Sequence, residues 1–319
     1  MRRVIIAVAL VAVVCAPSAL GAGKEGTSGA QFLKVGVGAR AAAMGEAFDP
    51  VASGAEAIFW NAAGLVNVEN QSLSVSDNEW ISDLRMVSGA YARHFGFGTV
   101  GVMVNSMMYG DFEETTVKQP NGTGNTFSAM DMTGGVALAR RLTDRFSVGG
   151  TAKFIRCAFS GVEGVDPAMG VAFDVGTQYM TGFQTLRMAI ALQNLGPDLQ
   201  YGGTYLEQQR NKQEWIQEEF QSFSLPVIVR LGFAYDPLEN LTLVVNAAHP
   251  NDSRERVTFG GEWWPLESVA LRGGYKLNYY ESKYTGGMGL KFGGLKTDFS
   301  YTDIGRLGYA LNATLGYDF

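Results

Sequence analysis

Tyr309-Ala310-Leu311-Asn312-Ala313-Thr314-Leu315-Gly316-Tyr317-Asp318-Phe319 is the stretch that decides the fold. One parity reads Tyr, Leu, Ala, Leu, Tyr, Phe and the other Ala, Asn, Thr, Gly, Asp. Successive side chains of a strand point to opposite faces, so one face here is oily and aromatic and the other small and polar. Eleven residues is the length a tilted strand needs to cross a bilayer, roughly 9–11 residues. Aromatic residues close both ends of the apolar face, where two membrane–water interfaces would lie.

The strand ends on an apolar aromatic, and in that it resembles the closing strand of a bacterial outer-membrane barrel. The resemblance makes Tyr317 and Phe319 the signal read by the barrel-assembly machinery. The bland reading is an ordinary amphipathic edge strand. At the other end, Met1-Arg2-Arg3 is basic, Val4 to Cys15 is apolar, and Pro17 and Ser18 lead to small residues. This is the pattern of a secretory signal peptide over residues 1–21. Ala12-Val13-Val14 before Cys15 is not the lead-in of a lipid-attachment site. Cleavage removes two arginines, so the formal charge of −6 becomes about −8. Cys157 is then the lone cysteine, and no intramolecular disulfide is expected.

No stretch past residue 22 is apolar for the roughly 18 residues that a spanning helix requires. A crossing of the membrane therefore has to use strands. Glycine is abundant (41 residues), aromatics make up 12% and mean hydropathy is only +0.02, as expected where lipid-facing and lumen-facing residues alternate. The acidic balance makes nucleic acid a poor partner.

From Gln71 onward about fourteen amphipathic segments follow: 71–76, 84–95, 97–108, 126–140, 145–158, 168–180, 186–194, 224–235, 239–248, 253–265, 267–280, 283–292, 295–303 and 308–319. Val229, Leu231 and Phe233 read as lipid-facing with Arg230 and Gly232 inward; Leu271 and Tyr275 face out with Arg272, Gly274 and Lys276 inward. A Lys or Arg facing lipid at mid-bilayer costs about 2–4 kcal/mol, so the inward charges imply a wet or plugged lumen. The three longest connections, 109–125, 159–167 and 195–223, all leave odd-numbered segments, and the shortest leave even-numbered ones. That parity fits long extracellular loops and short periplasmic turns. The fold class expected is thus all-β, a transmembrane antiparallel barrel of about 14 strands over 71–319.

Residues 22–70 do not alternate. Gln31 to Phe48 reads as short helices broken at Gly36, Gly38 and Gly45, Asp49-Pro50 as a turn, and Ala52 to Leu65 as small and apolar. The expectation is a small, mostly helical amino-terminal hatch placed in the lumen.

Two stretches of this hatch carry a family resemblance: Gly26-Thr27-Ser28-Gly29-Ala30-Gln31-Phe32-Leu33-Lys34-Val35-Gly36-Val37-Gly38-Ala39-Arg40-Ala41-Ala42-Ala43-Met44-Gly45-Glu46-Ala47-Phe48, and Ala55-Glu56-Ala57-Ile58-Phe59-Trp60-Asn61-Ala62-Ala63-Gly64-Leu65. The sequence resembles the PorV/PorQ family, itself similar to the fourteen-stranded FadL-type fatty-acid transporters whose amino-terminal hatch fills the lumen. The family's usual Asn-Pro-Ala-Gly-Leu has Ala62 in the second place here, which removes a fixed turn. The resemblance implies a hatch or gate built on Gly36, Gly38, Arg40, Met44, Gly45, Trp60, Asn61 and Gly64. It implies one of two activities. PorV-like members of the type IX secretion system bind the carboxy-terminal domains of exported cargo proteins and act with its translocon. FadL-like members pass hydrophobic small molecules. A third reading is a structural barrel with no passage, embedded in outer-membrane lipid like the other two. The family has no known catalysis, and none is inferred.

Individual residues were weighed for chemistry. Gly36-Val37-Gly38-Ala39-Arg40-Ala41, with Glu56 twenty residues on, matches a dinucleotide fingerprint, but no buried strand precedes it. No cofactor is expected. Arg40 is to pair with an inward acid such as Glu262 or Asp298, or to point into lumenal water. Asn61 is to bond hatch to wall, or to cap a helix. His94 and His249 fall at opposite ends of the barrel, so neither a catalytic dyad nor a two-histidine metal site follows. Tyr201, Tyr205, Trp215 and Phe220, among acids, form a candidate extracellular partner surface, or else Tyr205 to Phe220 is an amphipathic helix over the barrel mouth. Met107-Met108 and Met130-Met132 line a greasy path or pack in the wall.

Overall fold

A computed structural model describes residues 26–208, 215–279 and 281–319. The expected signal peptide, with Cys15, lies outside the described residues, and so does the side chain of Trp215. The strands run β1 Gln71–Glu79, β2 Arg85–Phe95, β3 Gly98–Glu113, β4 Thr126–Thr143, β5 Phe146–Ser160, β6 Val165–Asp166, β7 Ala168–Met180, β8 Arg187–Leu195 and β9 Gly202–Gln208. They continue as β10 Trp215–Glu219, β11 Ile228–Leu238, β12 Leu241–Pro250, β13 Arg256–Leu266, β14 Val269–Leu277, β15 Tyr284–Phe292, β16 Leu295–Asp303 and β17 Tyr309–Asp318.

Fourteen of these close into an antiparallel barrel in chain order. The seam is β1 against β17, from Ser72 opposite Asp318 to Glu79 opposite Leu311. Closure pairs every strand on both sides, the condition for spanning lipid with β-structure. The other three, β6, β9 and β10, form a separate small sheet. They lie in the long connections 161–167 and 196–227, so the described residues between Tyr205 and Phe220 pair as strands in place of the amphipathic helix offered above.

Burial follows parity. On β17, Leu311, Leu315 and Tyr317 are exposed on the outside, while Ala310, Asn312 and Thr314 are buried against the lumen. The same alternation sorts the methionines: Met107 is buried inward, and Met108 and Met130 are exposed outward. Connections at one barrel end are two to six residues long (96–97, 144–145, 181–186, 239–240, 267–268, 293–294); those at the other end include 114–125 and 196–227. We refer to these as the short-turn end and the long-loop end.

Residues 27–70 run through the ring. One short α-helix, α1 (Ala39–Ala43), and single 3-10 turns at Gln31–Lys34, Asp49–Val51, Ala55–Phe59 and Ala62–Asn67 make up the segment. Gly38 and Gly45, on either side of α1, have φ of +92° and +66°, a left-handed conformation that glycine adopts without a Cβ clash. α1 packs on β14 to β17, the Asp49–Val51 turn on β8, β11 and β12, the Ala55–Phe59 turn on β1 to β3, and the Ala62–Asn67 turn on β3 to β5 and β7. A segment that touches the wall on every side lies within the lumen.

The wall meets it with glycine. A Cβ on Gly149 would fall 2.4 Å from the Ala62 carbonyl carbon, one on Gly274 would fall 2.2 Å from the Gly45 nitrogen, and one on Gly287 would fall 2.6 Å from the Ala43 Cβ. Segment backbone therefore lies on wall backbone at Gly149 and Gly274, and the Ala43 methyl on that of Gly287, closer than any wall side chain would permit. The core inside the ring joins Met44, Phe48, Ile58, Trp60 and Leu65 to the wall alanines Ala90, Ala92, Ala137 and Ala139.

Candidate functional site

Positive charge in the lumen is held by paired carboxylates. Arg40, on α1, donates to Glu262 from Nε (3.0 Å) and from one terminal nitrogen (2.7 Å), a bidentate pair joining segment to wall. Glu262 also accepts from Arg272 at 2.8 Å, and Arg272 donates onward to Asp298 at 2.7 Å. Burial works against the Arg40 charge, but the Glu262 carboxylate outweighs it and holds the guanidinium above its ordinary pKa. Lys276 donates to Glu46 at 2.7 Å. Burial pushes the Glu46 carboxyl up, and the Lys276 ammonium more than offsets this and holds it below the ordinary range. Asp49, fully buried, accepts from Asn246, yet its other oxygen has no partner. Burial holds its carboxyl above the ordinary range despite the Arg230 charge nearby.

Neutral groups fix the opposite side. Trp60 donates from Nε1 to the Val37 carbonyl at 2.8 Å and meets Phe48 edge-on, ring centroids 5.9 Å apart. Asn61 fills both roles considered for it: its Oδ1 accepts from the Ala63 amide (3.1 Å), capping the turn, and its Nδ2 donates to the Thr177 carbonyl of β7 (3.0 Å). Gln193 donates to the Phe59 and Trp60 carbonyls at 3.0 and 2.7 Å, and Gln178 to those of Asp49 and Ala52 at 3.0 and 3.1 Å. Gly64 lies on the Ala52 carbonyl, where a Cβ would come within 2.2 Å; Gly36 lies under the Trp60 ring, with a Cβ at 3.2 Å. Met44 is wholly buried.

At the long-loop end the segment is clamped. Asp252, between β12 and β13, accepts from Ser28, from Gln31 (2.8 Å) and from Lys34 (2.9 and 3.0 Å). Above it sit Tyr201 and Phe223, centroids 5.6 Å apart, with Phe220 against Tyr205 at 5.3 Å. Three of the four aromatics of the candidate partner surface thus gather with Phe223 in one cluster over the mouth. His94 and His249 lie in β2 and β12 at opposite barrel ends. Glu56, the acid of the fingerprint considered above, presses its carboxyl on the backbone of Gly38, where a Cβ would lie 1.6 Å from Oε1.

Between segment and wall lies a small cleft, a cavity of about 40 Å³. Leu33, Val35, Ile58, Phe59, Trp60 and Met103 supply apolar walls, and Lys153, Gln193 and Arg230 supply polar ones. Arg230 lies 5.0 Å over the Trp60 ring and donates from Nε to Gln193; Lys153 is neutralised by Asp174 at 2.7 Å. On the long-loop side the inward positions turn apolar: Met86, Met107, Ile155, Cys157, Ala168 and Ala172 join Phe32 and Val37 in a second cluster. Of these wall residues only Met107 stands out in the sequence as a candidate for a greasy path.

No family model matches the sequence, and no curated protein matches it. Solved structures do. The toluene transporter TodX of Pseudomonas putida aligns at TM-score 0.64 and 12% identity, over 89% of this chain and 99% of that one. The monoaromatic hydrocarbon channel CymD aligns at 0.62 and 12%, over 89% and 98%. A FadL homologue from Pseudomonas aeruginosa aligns at 0.61 and 10%, over 89% and 98%. At such identities the likeness is one of fold. Two of these neighbours are described as a transporter and a channel, and none of the three is described as a PorV or PorQ protein.

Proposed function

We propose that the chain is an outer-membrane passage for small hydrophobic molecules, with residues 27–70 as its hatch. One observation carries this reading: inward positions of β2, β3, β5 and β7 are apolar on the long-loop side, and Leu33, Val35 and Phe59, which pack against them, also line the cleft beside Trp60. Met86, Met107 and Ile155 are buried under Phe32, Leu199 and Leu225, and this apolar patch would be open to an apolar passenger once its cover moves aside. The fold shared with channels described as carrying toluene and monoaromatic hydrocarbons supports the same reading.

The test is uptake of radiolabelled toluene by whole Gram-negative cells with an intact lipopolysaccharide leaflet, since toluene crosses a plain phospholipid bilayer unaided. Expression of the chain is expected to raise the initial rate. Met103→Trp, which fills the cleft from β3, is expected to bring the rate back toward that of cells lacking the chain. Equal uptake with and without the chain would sink the proposal.

A second reading, cargo binding of the PorV kind with a type IX translocon, rests on the hatch motif and on the β9–β10 pair, whose Glu218 and Glu219 are exposed at the mouth. Crosslinked pull-down of exported proteins by their carboxy-terminal domains would favour it over passage.

A further inference from the structure

Around Glu56 the charges do not balance. Arg40 on α1, Glu262 on β13, Arg272 on β14 and Asp298 on β16 face its carboxyl. The two guanidiniums and two carboxylates of that set satisfy one another in a chain of ion pairs, Arg40 to Glu262 to Arg272 to Asp298. Glu56 is the fifth member and the third acid. It is 9% exposed, its Oε1 is buried without a hydrogen-bond partner, and it sits against the Gly38 backbone. An ionised carboxylate in this position is a buried charge with no counter-ion, whereas the neutral acid leaves the sector at zero net charge.

We propose that Glu56 is a proton-binding site that latches the hatch: protonated, it lets residues 54–60 dock on the wall, and ionised, it loosens them. Burial first, and the Asp298 carboxylate second, push the group from 4.5 up to about 7. A carboxyl raised in the docked state contributes no penalty below its ordinary value. Docking is progressively lost as pH rises from there through about 7. Between pH 6 and pH 8 the docking equilibrium is expected to weaken about tenfold. The latch is therefore tight in mildly acidic surroundings and loose in alkaline ones.

The experiment is hydrogen exchange of residues 39–60 in the detergent-solubilised full chain, corrected for the intrinsic pH dependence of exchange, from pH 5.5 to 8.5. The wild type should lose protection across neutrality, and Glu56→Gln should hold its protection level throughout. Asp298→Asn leaves the guanidiniums in excess, favours ionised Glu56, and should shrink the fall between pH 6 and pH 8 while Glu56 remains. Protection in the wild type that is flat with pH, or a fall of equal size in either variant, would overturn the proposal. The readout is docking and not passage, so it stands or falls apart from the identity of any passenger.

Discussion

The hatch segment is held on two sides by different physics. Toward β13–β17 charge is added to close packing on Gly274 and Gly287: Arg40 on Glu262, Glu46 on Lys276, with Thr285 donating to the Ala43 carbonyl and Thr314 accepting from the Ala39 amide. Toward β4–β8 it is held by shape and neutral bonds: the Ala62–Ala63 backbone seated on Gly149 and the Asn61 side chain on Gly176, with neutral amides from Asn61, Gln178 and Gln193. Buried ion pairs are fragile to the loss of one member and respond to protons. Seated backbone ignores pH and fails only when something is put in the way. A hatch built this way can be loosened along one flank while the other keeps it in register.

The largest expected effect is on the charged flank. Glu262→Gln leaves Arg40 without a carboxylate and strips one of the two acids from Arg272. Removing one member of a buried pair is destabilising by about 3–5 kcal/mol, so exchange of residues 39–48 should accelerate by roughly two to four orders of magnitude. Adding Arg40→Gln should recover part of the loss, because Arg272 still has Asp298 at 2.7 Å. If the double variant is worse than Glu262→Gln alone, the pair is not what binds this flank.

On the shaped flank, Gly149→Val places a branched side chain where a single Cβ already lies 2.5 Å from the Ala63 nitrogen. Overpacking of this kind costs about 1–3 kcal/mol. Protection should fall at residues 61–67 and stay unchanged at 39–45, a pattern readable in the same exchange experiment. Loss spread evenly over both flanks would mean that the segment docks as one rigid body and that the contrast drawn above is false.

How far these flanks were legible in the sequence follows from their chemistry. The barrel showed itself because oil and water impose a period of two on every wall strand, and Arg272, Lys276 and Glu262 stood at inward parity. Arg40 advertised a partner by being a lone charge in an apolar run, and Glu262 and Asp298 were the acids offered for it; the guanidinium bonds to Glu262. The glycine seats left no comparable mark. An inward glycine fits a water-filled lumen as well as one packed with protein, so Gly149, Gly274 and Gly287 were indistinguishable from small lumenal residues until the segment was laid against them. Glu56 was legible only as the acid of a nucleotide motif, because its juxtaposition with Asp298 joins residues far apart in the chain. The β9–β10 pair was hidden by a stretch whose aromatics and acids fit a helical face and a strand equally well.

The smallest effect tests the join between the two modes of holding, at Asn61. Its oxygen caps the Ala62–Asn67 turn and its nitrogen reaches the wall at Thr177, while Gly176 makes room for it: a Cβ there would lie 2.1 Å from Oδ1. Asn61→Ala removes both bonds and should cost about 0.5–2 kcal/mol, the range for a lost cap. Asn61→Ser separates the two roles, because a serine oxygen can still cap the turn but cannot span to the strand. Protection in the serine variant equal to the alanine one would place the energy in the bond to the wall. Protection equal to wild type would place it in the cap, and the shaped flank would then rest on its glycines and the two glutamines alone.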